Sequence, residues 1–181
     1  MTVLDNLAAD WKKCGACVVS RHDFRKDGLT LSAVTPTKAL KAAAEALLRA
    51  GYALLDVSVM EVREGFLATY HFDSFAEAGR TALRTLVPFE APELPSLSGL
   101  FQGAEWHERE CSDFFGVRFF GNPNPVPLLL PDDFDGPPPL RKDPAALAPL
   151  SALGLFGVPE ILDPAWAELI GPGGRPKGDR A

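Results

Sequence analysis

The sequence predicts an α+β fold: two layers, with helices packed on a mixed, mostly antiparallel sheet, followed by an extended proline-rich C-terminal arm. Three observations carry this. The first half interleaves two amphipathic helical stretches with about five short strand-like runs, and hairpin turn residues separate several of those runs. Nine of the 17 prolines then fall between positions 123 and 149, a density that excludes helix and central strand.

Taken in order, Thr2 and Asp5 match a capping box, opening a helix whose Leu4, Leu7, Ala8 and Trp11 share a face and which Gly15 closes. Residues 16–23 and 29–34 read as strands joined through Lys26-Asp27-Gly28. With Thr35 as N-cap and Pro36 at the first helical position, TPTKALKAAAEALLRAG forms a second helix, turning Leu40, Ala44, Leu47 and Leu48 inward and stopping at Gly51. Residues 52–63 and 66–72 make a hairpin turning at Glu64-Gly65, and residues 81–87 add a strand. Residues 73–79, with Phe75, Ala76 and Ala78, also suit a short helix.

A further helix covers residues 105–115. At about 100° per residue, Ala104, Cys111, Phe114 and Phe115 gather on one side and Glu105, Arg109, Ser112 and Asp113 on the other. Glu108 and Glu110 fall on the flanks of the apolar stripe, and Arg109 stands four residues before Asp113, within pairing reach. Gly116 ends the helix and residues 117–120 form a short strand. The chain thus divides into a core domain, 1–120, and a proline-rich, partner-wrapping arm and tail, 121–181. In that tail AALAPLSALGLFG and PEILDPAWAELIG supply short helical pieces, and the final GPGGRPKGDRA is expected to be disordered.

Composition removes several function classes. A net charge of −6 argues against a nucleic-acid binder, which needs a basic face to neutralise phosphates. Acids within the first ten residues argue against a secretory signal, and no window approaches the ~18 apolar residues of a membrane span. A cytoplasmic location, with any membrane link made through partners, is the expectation. Cys14 and Cys17 form a CxxC, but a helix precedes it and a strand follows, the reverse of the order that activates a thioredoxin-type thiol. A zinc or iron–sulfur site normally takes four ligands, and three cysteines with the scattered His22, His71 and His107 argue against one, a Cys14/Cys17/His22 set with a fourth partner being the arrangement left open. Cys111 reads as an inert buried thiol. Asp132, Asp133 and Asp135 lack the glycine and glutamate of a calcium loop and read as a turn. No phosphate-binding glycine motif occurs, so the chain is expected to bind no cofactor and to have no catalytic centre of its own.

WHERECSDFFGVRF, then a Gly-x-Pro turn, an apolar triplet, LPDDF, Gly136 and PLRKD, resembles the signature of the 30 kDa-type subunit, or C subunit, of respiratory complex I, the NADH-quinone oxidoreductase. The same module occurs in related membrane-bound hydrogenases. Pro95-Ser96-Leu97 and Ala104-Glu105-Trp106 match the lead-in, and the resemblance is strong over residues 95–143. It implies the same α+β architecture and a peripheral subunit on the cytoplasmic side of the membrane. The expected neighbours are a hydrogenase-large-subunit-like protein of the D type at the quinone site, iron–sulfur subunits of the B and I types and, indirectly, the membrane arm. The complex would move electrons from NADH through FMN and iron–sulfur clusters to quinone, coupled to proton translocation, with every cofactor held by other subunits. On this reading the docking residues are Trp106, Glu108, Arg109, Glu110, Asp113, Phe115, Gly116, Asp132, Asp133, Gly136, Leu140, Arg141, Lys142 and Asp143. Replacing Glu108 and Arg141 together by alanine is then expected to leave the domain folded and to abolish incorporation.

The resemblance has departures. After Gly121 the quinone-reducing branch commonly carries His-Pro-Asp-Leu-Arg-Arg, whereas residues 122–127 are Asn-Pro-Asn-Pro-Val-Pro, which removes charged contacts that would hold the loop. Phe134 and Pro144 stand where tryptophan and an aromatic residue are common. The alternative these departures leave open is the equivalent subunit of a ferredoxin-linked membrane-bound [NiFe] hydrogenase or formate hydrogenlyase.

Overall fold

A computed structural model of the chain describes residues 2–76 and 79–170. The expected disordered end, and part of the ambiguous stretch 73–79, lie outside the described residues.

Helix α1 (Val3–Lys13) opens with the expected capping box: the Thr2 hydroxyl accepts from Asp5 N and the Asp5 carboxylate from Thr2 N. Its buried face is Leu7, Ala8 and Trp11, and the Trp11 indole N–H donates to the Ala43 carbonyl, 3.1 Å away. Strands β1 (Val18–Arg21) and β2 (Leu31–Val34) pair antiparallel. The predicted tight turn between them is instead one helical turn, α2 (Phe24–Asp27), because the Asp23 carboxylate accepts from Arg25 N and nucleates it.

The second predicted helix begins later than expected. Pro36 is extended and Thr37–Ala39 form a 3₁₀ turn before α3 (Leu40–Arg49), so Thr35 caps nothing and its hydroxyl is buried. Leu40, Ala44 and Leu47 point inward as expected, but Leu48 is 44% exposed because Ala43 and Ala46 complete the inward stripe.

Strands β3 (Ala53–Val62) and β4 (Gly65–Asp73) form the predicted hairpin, and β5 (Thr81–Val87) pairs antiparallel with β4 and parallel with β2. The turn requires its glycine: Gly65 has φ 144°, and a Cβ there would lie 2.2 Å from the Val87 carbonyl oxygen. After β5 come β6 (Glu93–Pro95), α4 (Ala104–Phe115) and β7 (Arg118–Phe120), with β6 and β7 forming a two-stranded parallel ribbon beside α4. PEIL, expected within a tail of helical pieces, is strand: β8 (Val158–Leu162) pairs antiparallel with β1, and α5 (Pro164–Ile170) follows.

The sheet order is therefore β3-β4-β5-β2-β1-β8, mixed and mostly antiparallel. One face packs the main core against α1, α3 and α4, through Val19, Ala33, Phe66, Tyr70 and Leu83. Each large side chain buried there contributes roughly 1.5–3 kcal/mol. The opposite face is covered by the chain's own C-terminal segment, with Leu150, Phe156 and Ile170 closing over Val18, Val34 and Leu67. Residues 144–170 thus belong to the fold of the domain as well as following it.

Candidate functional site

Helix α4 and the proline-rich arm meet along one line. The arm leaves β7, runs the length of α4 and is tied to it by side chains that the sequence alone places on the helix's flank and outer face.

Glu108 is 0% exposed. Its Oε1 accepts from Leu97 N at 2.7 Å, and its Oε2 accepts from Ser96 Oγ at 2.6 Å and Asn122 Nδ2 at 2.8 Å. Burial pushes its pKa up, an effect opposed by those three hydrogen bonds. One carboxylate therefore fastens the segment entering α4 to the loop leaving β7.

The expected Arg109–Asp113 ion pair does not form, because each side chain is used by the arm. Arg109 donates through Nε to the Val126 carbonyl and through Nη2 to the Pro127 carbonyl, both at 2.8 Å. Asp113 Oδ2 accepts three consecutive backbone amides, Leu128 N at 2.9 Å, Leu129 N at 2.7 Å and Leu130 N at 3.1 Å. A cation thus holds carbonyls and an anion holds amides on adjacent stretches of one strap. The loop at 122–127 is thus anchored from the helix side.

The arm's next fixed points are Leu140 N, donating to the Phe114 carbonyl at 3.1 Å, and Pro138, whose ring lies against Gly116. Gly116 has φ 74° and caps α4, so any Cβ there would be strained and would crowd Pro138. Arg141 then reaches Glu61 on β3, whose side chain is almost wholly buried, and stacks over the rings of Phe66 and Phe89 at 4.8 and 5.6 Å. The same Glu61 accepts from Lys142 N at 2.5 Å. Asp143 caps the following 3₁₀ turn through Ala145 N, and Glu64 accepts from Leu150 N at 2.9 Å as the chain crosses to the far face.

The predicted site residues therefore separate into two sets. Glu108, Arg109, Asp113, Gly116, Arg141 and Asp143 act within the chain, and Phe115 packs against the core. Gly136 makes room for Phe134, whose ring would stand 2.9 Å from a Cβ. Trp106, Glu110, Asp132, Asp133, Leu140 and the Lys142 side chain face outward. Trp106 is 63% exposed, and beside the strap stands Phe120, 83% exposed, with Val126, Leu129 and Phe134 also exposed. A cavity of about 560 Å³ opens between Arg109, Asp113, Phe119, Phe120, Asn122 and Val126.

Sequence reasoning missed Glu61, Glu64, Ser96, Asn122 and Phe120. Glu61 had a signal: strand alternation puts it on the face of Val57 and Val59, where a lone carboxylate needs a partner.

The other candidate groups carry less chemistry. Cys111 is buried, its thiol pushed up to about 12 chiefly by burial, and its Sγ–H points to the Val57 carbonyl. Burial likewise raises Cys14 and Cys17. His71 and His107 both approach Asp56, at 3.8 and 3.5 Å. Among the described residues no three His, Cys, Asp or Glu side chains cluster as metal ligands, and no helix is long and apolar enough to cross a membrane.

Removing the Asp113 carboxylate tests the strap directly. In Asp113→Ala the amides of Leu128, Leu129 and Leu130 should exchange hydrogen at least ~10-fold faster, a loss of about 1.4 kcal/mol or more of local protection, while β4 exchange is unchanged. Unaltered exchange at those three amides would show that the strap is held by other means.

The family model described as respiratory-chain NADH dehydrogenase, 30 kDa subunit, matches residues 33–148. The C subunit of NADH-quinone oxidoreductase from Roseiflexus sp. (strain RS-1) is 45% identical over 78 residues, covering 43% of this chain and 44% of that protein. The J subunit of NAD(P)H-quinone oxidoreductase from Prochlorococcus marinus (strain MIT 9303) is 48% identical over 75 residues, covering 39% and 40%. The matched part spans less than half the length of these curated relatives. Among solved structures, a trypsin-resistant fragment of Nqo5 superposes with a TM-score of 0.57 at 24% identity, over 68% of this chain and 99% of that one. A protein of the membrane-bound sulfane sulfur reductase, an archaeal respiratory membrane complex, superposes with a TM-score of 0.56 at 18% identity, over 66% and 71%. Those two likenesses show the fold alone.

Proposed function

Because the chain belongs to the family of respiratory-chain NADH dehydrogenase 30 kDa subunits, we propose that it is a cofactor-free peripheral subunit of a complex I-type NADH-quinone oxidoreductase, docked on its neighbours through α4 and the strap. The neighbour in direct contact is the hydrogenase-large-subunit-like, D-type protein at the quinone site, with iron–sulfur subunits of the B and I types close by. The chain's role is to help assemble that region on the cytoplasmic side of the membrane. Electron transfer from NADH to quinone, and the proton translocation coupled to it, then proceed on cofactors of other subunits.

The observation that carries this reading is the exposure of Trp106 on α4, Phe120 at the end of β7, and Val126, Leu129, Phe134 and Leu140 along a strap that this chain's own hydrogen bonds already order. An apolar edge held rigid before binding loses little further conformational entropy on docking, and exposed Trp and Phe are typical interface anchors. The adjoining cavity beside Phe119 and Phe120 suits an inserted side chain of the partner.

Trp106→Asp combined with Phe120→Asp tests it. Both side chains are exposed, so the melting temperature of the purified chain should hold within a degree or two, while co-purification with the D-type neighbour falls on the order of 30-fold or more, the loss expected from hot-spot anchors. Full recovery of that neighbour with the double variant would contradict the docking face. In the ferredoxin-linked alternative the same face is used, and the recovered neighbours are a nickel-containing large subunit and ferredoxin-type proteins.

A further inference from the structure

Strand alternation along β5 sends Ala82, Arg84 and Leu86 to the sheet face opposite α1, α3 and α4. On that face Arg84 lies between Thr69 of β4 and Val34 of β2. The neighbouring row across the sheet reads His71, Ala82, Ser32, Ser20. Beyond it, His22 Nε2 lies 2.7 Å from Ser32 Oγ.

Arg84 is 2% exposed, and its Nε and Nη1 have no hydrogen-bond partner. The hydroxyl of Ser20, on the same face, is also buried without a partner. No carboxylate of the described residues offsets the guanidinium: burial alone acts on it, lowering its pKa to about 10. At that value the group keeps its charge at neutral pH. The nearby imidazoles of His22 and His71 are pushed toward the neutral form, first by burial and then by the charge of Arg84, so they add no second cation.

A buried cation without a counter-charge is among the costliest arrangements in a protein interior. An unsatisfied guanidinium and an unsatisfied hydroxyl on one face both call for an acceptor, and the acceptor that also balances the charge is an anion. Leu150, Phe156 and Ile170 pack over Val18, Val34 and Leu67 on this face, and Arg84 and Ser20 are themselves buried, which leaves no open approach for an acidic side chain of another protein. We propose that Arg84, with the Ser20 hydroxyl, forms a buried site for a small inorganic anion of halide size, enclosed by the C-terminal segment. The site lies on the face of the sheet opposite α4 and is independent of the docking reading.

Bromide is the probe. For the purified full chain at constant ionic strength, exchanging sodium gluconate for sodium bromide should raise the melting temperature saturably, by roughly 5–10 °C at a hundred-fold excess over the dissociation constant. Arg84→Met should abolish that dependence. An equal rise in the variant, or none in the native chain, overturns the proposal. Should Arg84→Met fail to fold, a bromide-soaked crystal of the native chain decides. An anomalous peak within ~3.5 Å of the guanidinium supports the site, and a guanidinium without one overturns it.

Discussion

Glu108→Ala should destabilise the folded chain by about 3 kcal/mol, read as a shift of the urea midpoint at unchanged slope. The carboxylate is fully enclosed and accepts from Leu97 N, Ser96 Oγ and Asn122 Nδ2, so alanine strands a buried amide and two side-chain donors and leaves a cavity. Removing the buried charge returns some desolvation energy, which keeps the loss below the sum of three charged hydrogen bonds. Glu108→Gln should cost less, since glutamine keeps the volume and one acceptor. The same pair has a pH signature. Burial raises the folded-state pKa of Glu108 above its ordinary 4.5, so the folded state binds the proton more tightly than the unfolded chain. The stability this group contributes is complete below 4.5 and falls as pH climbs through the raised value. The native chain should therefore lose stability relative to Glu108→Gln over that interval, and parallel stability curves would rule this out.

Arg141→Ala should cost about 2–3 kcal/mol and shift the melting temperature by several degrees. Glu61 is nearly inaccessible, so deleting its cation leaves a buried carboxylate with the Lys142 amide as its remaining donor, and the stacking on Phe66 and Phe89 is lost as well. The Arg141 side chain is itself 41% exposed and partly screened, which places the effect at the lower end of the range for broken buried pairs. Arg141→Lys should recover little, because lysine cannot stack on two rings while reaching Glu61. A melting curve unchanged in Arg141→Ala would show that the Glu61 contact is incidental. Together these effects reverse the expectation that Glu108→Ala with Arg141→Ala leaves the domain folded. Both residues hold the fold, and loss of assembly in that double variant would report unfolding as readily as docking.

Much of the architecture was legible because it is set by local chemistry. The capping box at Thr2 and Asp5, the Gly65 turn and the alternating strands around it need nothing from distant residues. The helical projection of α4 was right about Cys111 and Phe115, which pack inward, and wrong about what covers its other sides. Periodicity gives the direction of Glu108 and Asp113 but does not reveal that residues 96–98 and 122–130 lie over them. Glu108 and Asp113, buried or half-buried acids that the docking reading pairs with a neighbour's donors, are instead satisfied by donors of this chain. The strand at Val158–Leu162 was missed because a five-residue run containing proline carries almost no strand signal until β1 offers it an edge. Arg84 was invisible for the related reason that one charge on a half-polar strand normally faces water, and its enclosure exists only in the folded chain.

The most direct test of the central claim is a site-specific photo-crosslinker at position 120 in the chain expressed in its native host, with membranes solubilised gently and adducts identified by mass spectrometry. The docking account predicts an adduct to the hydrogenase-large-subunit-like neighbour, in particles that also hold iron–sulfur subunits and an NADH-binding flavoprotein. Recovery of the chain in such particles with no adduct at position 120, or recovery of the chain alone, would contradict it.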